Sequence, residues 1–298
     1  MSNREIRHYN FNLSIILIAF RFGKKHKIYK LILSFEVINI KTNFLYFFSK
    51  YYNTMYNYKL TIQYDGTNYS GWQSQPNGNT IQDELTKVIS TITQSEINLI
   101  GSGRTDAGVH AWGQVANFKI NKSLNLFRVR HAINSMLPEA IAIKKMEEVP
   151  ENFHSRFDAE KRSYFYLIGK NKNPFYSNYS YRFFDVKKID IKRLNSVSKV
   201  FLGEHNFTSF CKKKTDTENK VCIVNEIHWR ETNNFFIFKI EANRFLHGMV
   251  RTIVGTVLSA TVKNKSDKYI DEILKAENRQ TAGEAVPAKG LFLHKVKY

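Results

Sequence analysis

Residues 101–118, GSGRTDAGVHAWGQVANF, set Arg104 and Asp106 two positions apart among Gly101, Gly103 and Gly108. An aspartate in such a setting could serve as a nucleophile, a general base or a metal ligand, and each use needs its carboxylate ionised. A neighbouring cation keeps a carboxylate pKa low, and Arg104 is the nearest candidate. Glycines let the backbone turn sharply or approach a ligand closely. The same residues also suit an Asx-turn or a surface ion pair, and the local pattern does not separate these readings. No second carboxylate lies nearby, which argues against a paired acid/base site or a bound Mg²⁺.

The elements that must position this loop follow from periodicity. YKLTIQY (58–64) alternates as a half-buried strand, and DGTNYSGWQSQPNGN (65–79) is rich in turn formers. Thr80 can cap a helix over TIQDELTKVISTIT, with Asp83 three residues on and Ile81, Leu85, Val88, Ile89 and Ile92 sharing one face. A strand near 97–101 leads into the glycine-rich loop, and QVANFKI (114–120) alternates again. A helix over 126–136 and a strand over 140–147 complete one unit, and Pro150 marks a boundary.

The second half repeats the order. FDAEKRSYFYLIG (157–169) contains a strand with Tyr164, Tyr166 and Ile168 on one face and Phe165 and Leu167 on the other. IDIKRLNSVSKVFLG (189–203) reads as a helix ending at Gly203, and residues 224–243 as a hairpin turning at Asn233-Asn234. Leu246, Met249, Val250, Ile253, Val254, Val257 and Leu258 mark the apolar face of a long helix; a shorter helix (267–276) and a strand, GLFLHKVKY, follow. Strand–helix–strand order in both halves predicts two α+β lobes, 55–150 and 151–298, without a visible sequence repeat. Residues 1–54 show no sustained period and read as a disordered extension or as a misassigned start with translation beginning at Met55.

The net charge of +19 points to a polyanionic partner. Residues 1–54 hold nine Lys/Arg and two Asp/Glu, a net +7, which leaves +12 for the remainder. FNLSIILIAF (11–20) is too short an apolar run for the roughly 20 residues of a membrane span, and no cleavage site follows it. Two cysteines, Cys211 and Cys222, do not make a disulfide framework, so a cytoplasmic location is expected. With His205 and His228 they form a Cys/His set, but no pair has the short spacing of zinc ligands.

The glycine-rich segment resembles the signature of the TruA-type tRNA pseudouridine synthases, whose nucleophile is the Asp of R-T-D-A-G-V-H-A. Further matches follow in the family's order: YDGTNYSGWQSQ (64–75) with TIQDEL (80–85), SRFDAEKRSYFY (155–166), GEHNFTSF (203–210), NRFLHGMVRTIVG (243–255) and AVPAKGLFL (285–293). The resemblance spans residues 58–298. It implies isomerisation of uridine to pseudouridine at positions 38–40 of the tRNA anticodon arm, with no cofactor or metal. It also implies an α+β fold of two RNA-recognition-motif-like lobes, their antiparallel or mixed sheets joined and flanked by helices, with the active-site cleft between them. Family members are homodimers whose tRNA touches both subunits.

Carried over residue by residue, Asp106 is the essential carboxylate, Arg251 its paired arginine and Tyr164 the active-site tyrosine. Arg104 matches an arginine that helps push the target base from its stack. The principal ion-pair partner of Asp106 is therefore expected to be Arg251. His110 and Gln114 match motif positions and are candidates for substrate contact, though packing or hydrogen bonding suits them better than catalysis. Lys212, Lys213 and Lys214 read equally as a solvated loop or an RNA contact, and Arg128, Arg130 and His131 are further basic candidates. His247-Gly248 departs from the bulkier aromatic and histidine expected there, which weakens any role for these two side chains. Two rival functions remain: a non-catalytic RNA-binding protein, which would not need Asp106, and an aspartic peptidase, which would need a second such Asp.

Overall fold

A computed structural model describes residues 54–212 and 218–298. The expectations for residues 1–54 and for Lys213 and Lys214 fall outside the described residues, Thr54 apart. Strand β1 (Tyr56–Tyr64) buries Tyr58, Leu60, Ile62 and Tyr64 on one face, as its alternation requires. It pairs antiparallel with β3 (His110–Ile120) on one side and β4 (Ile141–Val149) on the other. Helix α1 (Ile81–Thr93) begins at Thr80, whose hydroxyl accepts from the Asp83 amide at 3.2 Å and donates to the Asp83 carboxylate at 2.5 Å. Ile81, Leu85, Val88 and Ile89 are buried. Helix α2 (Leu126–Met136) has the expected bounds and buries only Ile133 fully.

The strand expected near 97–101 shrinks to β2 (Ile100–Gly101), which pairs with β3. In the second half, β5 (Lys161–Gly169) buries Tyr164, Tyr166 and Ile168 on one face. The short β6 (Tyr181–Arg182) runs parallel to it. Helix α3 (Ile191–Ser198) is shorter than expected: a 3₁₀ turn over Lys199–Phe201 tightens the chain and drives Phe201 against Phe207 and Phe210. Gly203, at φ +95°, opens β7 (Gly203–Asn206) rather than ending a helix. Strands β8 (Val221–Glu231) and β9 (Phe235–Ala242) form the hairpin, closed by Thr232 N–H donating to the Phe235 carbonyl at 2.8 Å. Helix α4 (Met249–Val262) begins after Leu246, which is buried but lies outside it. Helix α5 (Asp267–Lys275) and β10 (Leu291–Lys297) follow.

All ten strands join in one mixed sheet of order β4-β1-β3-β10-β5-β9-β8-β7, with β2 and β6 off the main path. Residues 55–298 form one unit. The C-terminal strand β10 is the seam: it runs parallel to β3 and antiparallel to β5. Ala111, Leu293 and Tyr164 therefore lie in one row across three strands. That register brings the loop before β3 to the same end of the sheet as Tyr164.

The segment leading into β10 is tied to α4. Val286 N–H donates to the Arg251 carbonyl at 3.2 Å, and Gly283 N–H to the Thr256 hydroxyl at 3.0 Å. Between these bonds, a Cβ on Gly255 would lie 1.9 Å from the Glu284 carbonyl oxygen, so the strap lies on the helix only because position 255 has no side chain. Gly255→Ala is expected to force the two backbones apart and cost about 1–3 kcal/mol. Thermal unfolding should show the melting temperature lowered by several degrees; an unchanged melting temperature would mean that the strap shifts freely.

Candidate active site

The loop carrying Asp106 is held from behind. Gln114, on β3 and fully buried, accepts from the Ser102 hydroxyl at 2.7 Å and donates to the Gly103 carbonyl at 2.9 Å. Trp72 N–H donates to the Thr105 carbonyl at 3.1 Å, and the Thr105 hydroxyl is 2.8 Å from that of Tyr64. The glycines have separate reasons. A Cβ on Gly101 would lie 2.5 Å from the Trp72 indole, Gly108 holds φ +74°, and only Gly103 faces open space. Clearance for an approaching ligand is thus confined to position 103.

Asp106 is about one-fifth exposed and both of its oxygens are engaged. Arg251 Nη1 lies 2.9 Å from Oδ2, and His247 Nε2 lies 3.1 Å from Oδ1. Arg251 occupies the first turn of α4, and its Nε donates to the Val286 carbonyl at 2.7 Å. The guanidinium is fixed by the strap while its free edge meets the carboxylate. Arg104 is exposed, and its Nε reaches Gln73 Oε1 at 3.3 Å. The two residues adjacent in sequence are thus not the pair the structure forms.

Tyr164 is buried, with Phe245 edge-on at 5.1 Å. Burial, and then the negative charge of Asp106, push the phenol well above its ordinary pKa of 10.0. The hydroxyl therefore stays protonated at neutral pH, next to an anion. Tyr166, two residues on, donates to the Pro287 carbonyl at 2.7 Å and so anchors the other end of the strap.

Two residues matter that the sequence did not assign. His247 contacts Asp106 directly, although the departure at His247-Gly248 counted against it. Gly248, at φ +75°, is the N-cap of α4, a conformation that favours glycine. Arg162 is the other. Its Nη1 donates to the carbonyls of Ala159 (2.7 Å) and Asn243 (2.9 Å), and its Nη2 to those of Arg156 (2.8 Å) and Ser102 (3.1 Å). Burial pulls the Arg162 pKa down, yet the fork remains the group that joins three loops around the site.

A family model described as tRNA pseudouridine synthase matches residues 60–158 and 197–298. The chain belongs to that family. A tRNA pseudouridine synthase A of Brachyspira hyodysenteriae is 41% identical over 244 residues, covering 81% of this chain and 98% of that protein. A tRNA pseudouridine synthase A 2 of Clostridium perfringens is 39% identical, covering 82% and 100%, and the Bacillus subtilis tRNA pseudouridine synthase A is 38% identical, covering 80% and 98%. The relatives place the chain in the TruA group of pseudouridine synthases.

Within this pseudouridine synthase, the other candidates separate by burial. His110 is 1% exposed: its Nε2 lies 3.1 and 3.2 Å from the Asn178 and Lys289 carbonyls, and Nδ1 accepts from Gly66 N–H at 3.1 Å with Asp65 at 3.0 Å. His110 and Gln114 are thus both buried and engaged in hydrogen bonds that buttress the loop. Lys212 and Arg128 are exposed, and Arg128 lies on α2. No three of His205, Cys211, Cys222 and His228 converge on a metal position among the described residues. Cys211 and Cys222 are free and buried.

The Arg162 fork generates a test. Arg162→Met keeps much of the apolar stem but leaves four carbonyls, three of them in part-buried bonds, without their donor. A loss of about 3 kcal/mol in urea unfolding is expected, and Arg162→Lys should recover only part of it. Full stability in Arg162→Met would show that water replaces the guanidinium.

Proposed function

We propose that this protein isomerises uridine to pseudouridine at positions 38–40 in the anticodon stem-loop of tRNA, with Asp106 as the essential carboxylate. The observation that carries the reading is the Asp106 carboxylate, paired with Arg251 at one oxygen and His247 at the other beside the buried Tyr164. The names of the relatives support tRNA as the substrate.

In the reaction the N1–C1′ bond breaks, the uracil turns, and C5 bonds to C1′. C5 loses its proton and N1 gains one, so atoms balance with no redox change. Asp106 either attacks C1′ or assists proton loss at C2′, and both routes need the anion that Arg251 stabilises. Tyr164, kept protonated by burial and by Asp106, suits an aromatic wall for the uracil better than a resting phenolate base. Arg104, exposed and held only through Gln73, is free to enter the stack as the base is extruded, a step that costs a few kcal/mol. Exposed Lys212 and Arg128 supply phosphate contacts.

A homodimer in the cytoplasm, with a cleft between the 55–150 and 151–298 lobes, completes the proposal. The exposed Trp112, Phe175 and Phe184 give apolar surface for association, and the free thiols suit a reducing compartment.

Pseudouridine mapping of tRNA incubated with wild-type and Asp106→Asn protein tests the reading. The wild type should modify positions 38–40, and the variant should still bind tRNA while its rate falls more than about 1,000-fold. Undiminished modification by Asp106→Asn would remove Asp106 from the chemistry. Sedimentation of the active protein checks the dimer, and an active monomer would overturn it.

A further inference from the structure

The two oxygens of Asp106 are held by unequal partners. Oδ2 faces Arg251, a permanently charged group locked to the Val286 carbonyl and only 23% exposed. Oδ1 faces His247, whose side chain is 47% exposed. Arg251 reaches the carboxylate through one nitrogen, Nη1. A single contact fixes the position of an oxygen but leaves the carboxylate plane free to swing, because the terminal torsion of aspartate is broad. A second contact on the other oxygen removes that freedom.

The backbone of His247 is itself prepared for this task. Its carbonyl accepts from Lys212 N–H at 2.9 Å, and Met249 N–H closes a turn onto the Leu246 carbonyl at 3.0 Å. Leu246 and Met249 are buried on either side, and Gly248 at φ +75° turns the chain into α4. Only the two torsions of the imidazole remain. Because an ionised carboxylate only accepts, the Nε2 that faces it carries the proton and donates.

We propose that His247 is a positioning residue that orients Oδ1 of Asp106 as the oxygen presented to the ribose. The proposal rests on the pseudouridine synthase reading above. Oδ2 stays with Arg251 throughout. Oδ1 gives one lone pair to the half-exposed His247 and keeps the other for the substrate. Exposure on this scale means that the contact adds little to folding stability. Its effect falls on geometry, where small misplacements are costly in rate.

Turnover of an anticodon-arm RNA by wild-type, His247→Ala and His247→Gln protein tests this. In His247→Ala, kcat should fall about 10- to 100-fold. KM should stay within about threefold, and the melting temperature within about 2 °C. His247→Gln, whose amide can donate from the same position, should recover most of the loss. Wild-type kcat in His247→Ala overturns the proposal, as does a defect confined to KM, which would make His247 an RNA contact. A folded His247→Gln as slow as His247→Ala also overturns it. Crystal structures give a readout independent of turnover: the Asp106 carboxylate should hold one orientation in the wild type and more than one in His247→Ala. One shared orientation in both refutes the positioning role even if the wild type forms no pseudouridine, an outcome that would separately refute the functional reading.

Discussion

The ion pair between Asp106 and Arg251 joins residues 145 positions apart, and the rest of the site is arranged around it. At roughly one-fifth exposure on each side, the pair is largely withdrawn from solvent, so part of its Coulombic gain is offset by desolvation. Its value is positional. It keeps the carboxylate at a fixed point that stays about one-fifth exposed. The anchors behind it are neutral: Gln114 on the Asp106 loop, and the Val286 carbonyl behind Arg251. Because neither anchor is an acid, the guanidinium has no competing carboxylate to satisfy.

Topology explains how two such distant residues meet. β10 comes from the end of the chain, yet it lies between β3 and β5, with the Asp106 loop before one and Tyr164 on the other. The strap that leads into it is bonded to α4, which carries Arg251. One short segment therefore sets three distances: loop to sheet, helix to loop, and helix to sheet. The Arg162 fork, reaching from the strand of Tyr164 to the Ser102 carbonyl, adds a second tie between that strand and the Asp106 loop. The site is a product of the last pairing made along the sequence, not of any local motif.

This also explains what could be read from the sequence. Elements with strong local signals emerged with nearly correct bounds: α1 from its Thr80 cap and apolar face, α2, and the alternation of β1 and β5. The error at 189–203 arose because Gly203 looks like a helix end, whereas burial of Phe201 against Phe207 and Phe210 stops the helix earlier. Asp106 stands out by its glycine-rich setting, but Arg251 and Tyr164 are legible only through matching motifs, since nothing near Asp106 announces a partner so far away. Arg162 was invisible because its partners are backbone carbonyls, which every residue has. His247 carries a faint signal, a histidine and a glycine at the start of an apolar helix, and the glycine marks the turn into that helix.

The charge that first suggested a polyanionic partner needs the same correction by position. A net +12 over residues 55–298 counts every Lys and Arg alike, but the arginines nearest Asp106 divide into two kinds. Arg251 is engaged by the Asp106 carboxylate and the Val286 carbonyl, and Arg162 by four carbonyls, so both are committed to the site. Arg104 keeps most of its guanidinium free and stands exposed on the loop two residues from Asp106. Some cations are turned inward to the site and others stay exposed, and composition cannot tell them apart. A basic chain therefore argues for nucleic acid only through residues such as Arg104, Lys212 and Arg128, whose exposure leaves them able to exchange counterions for phosphates.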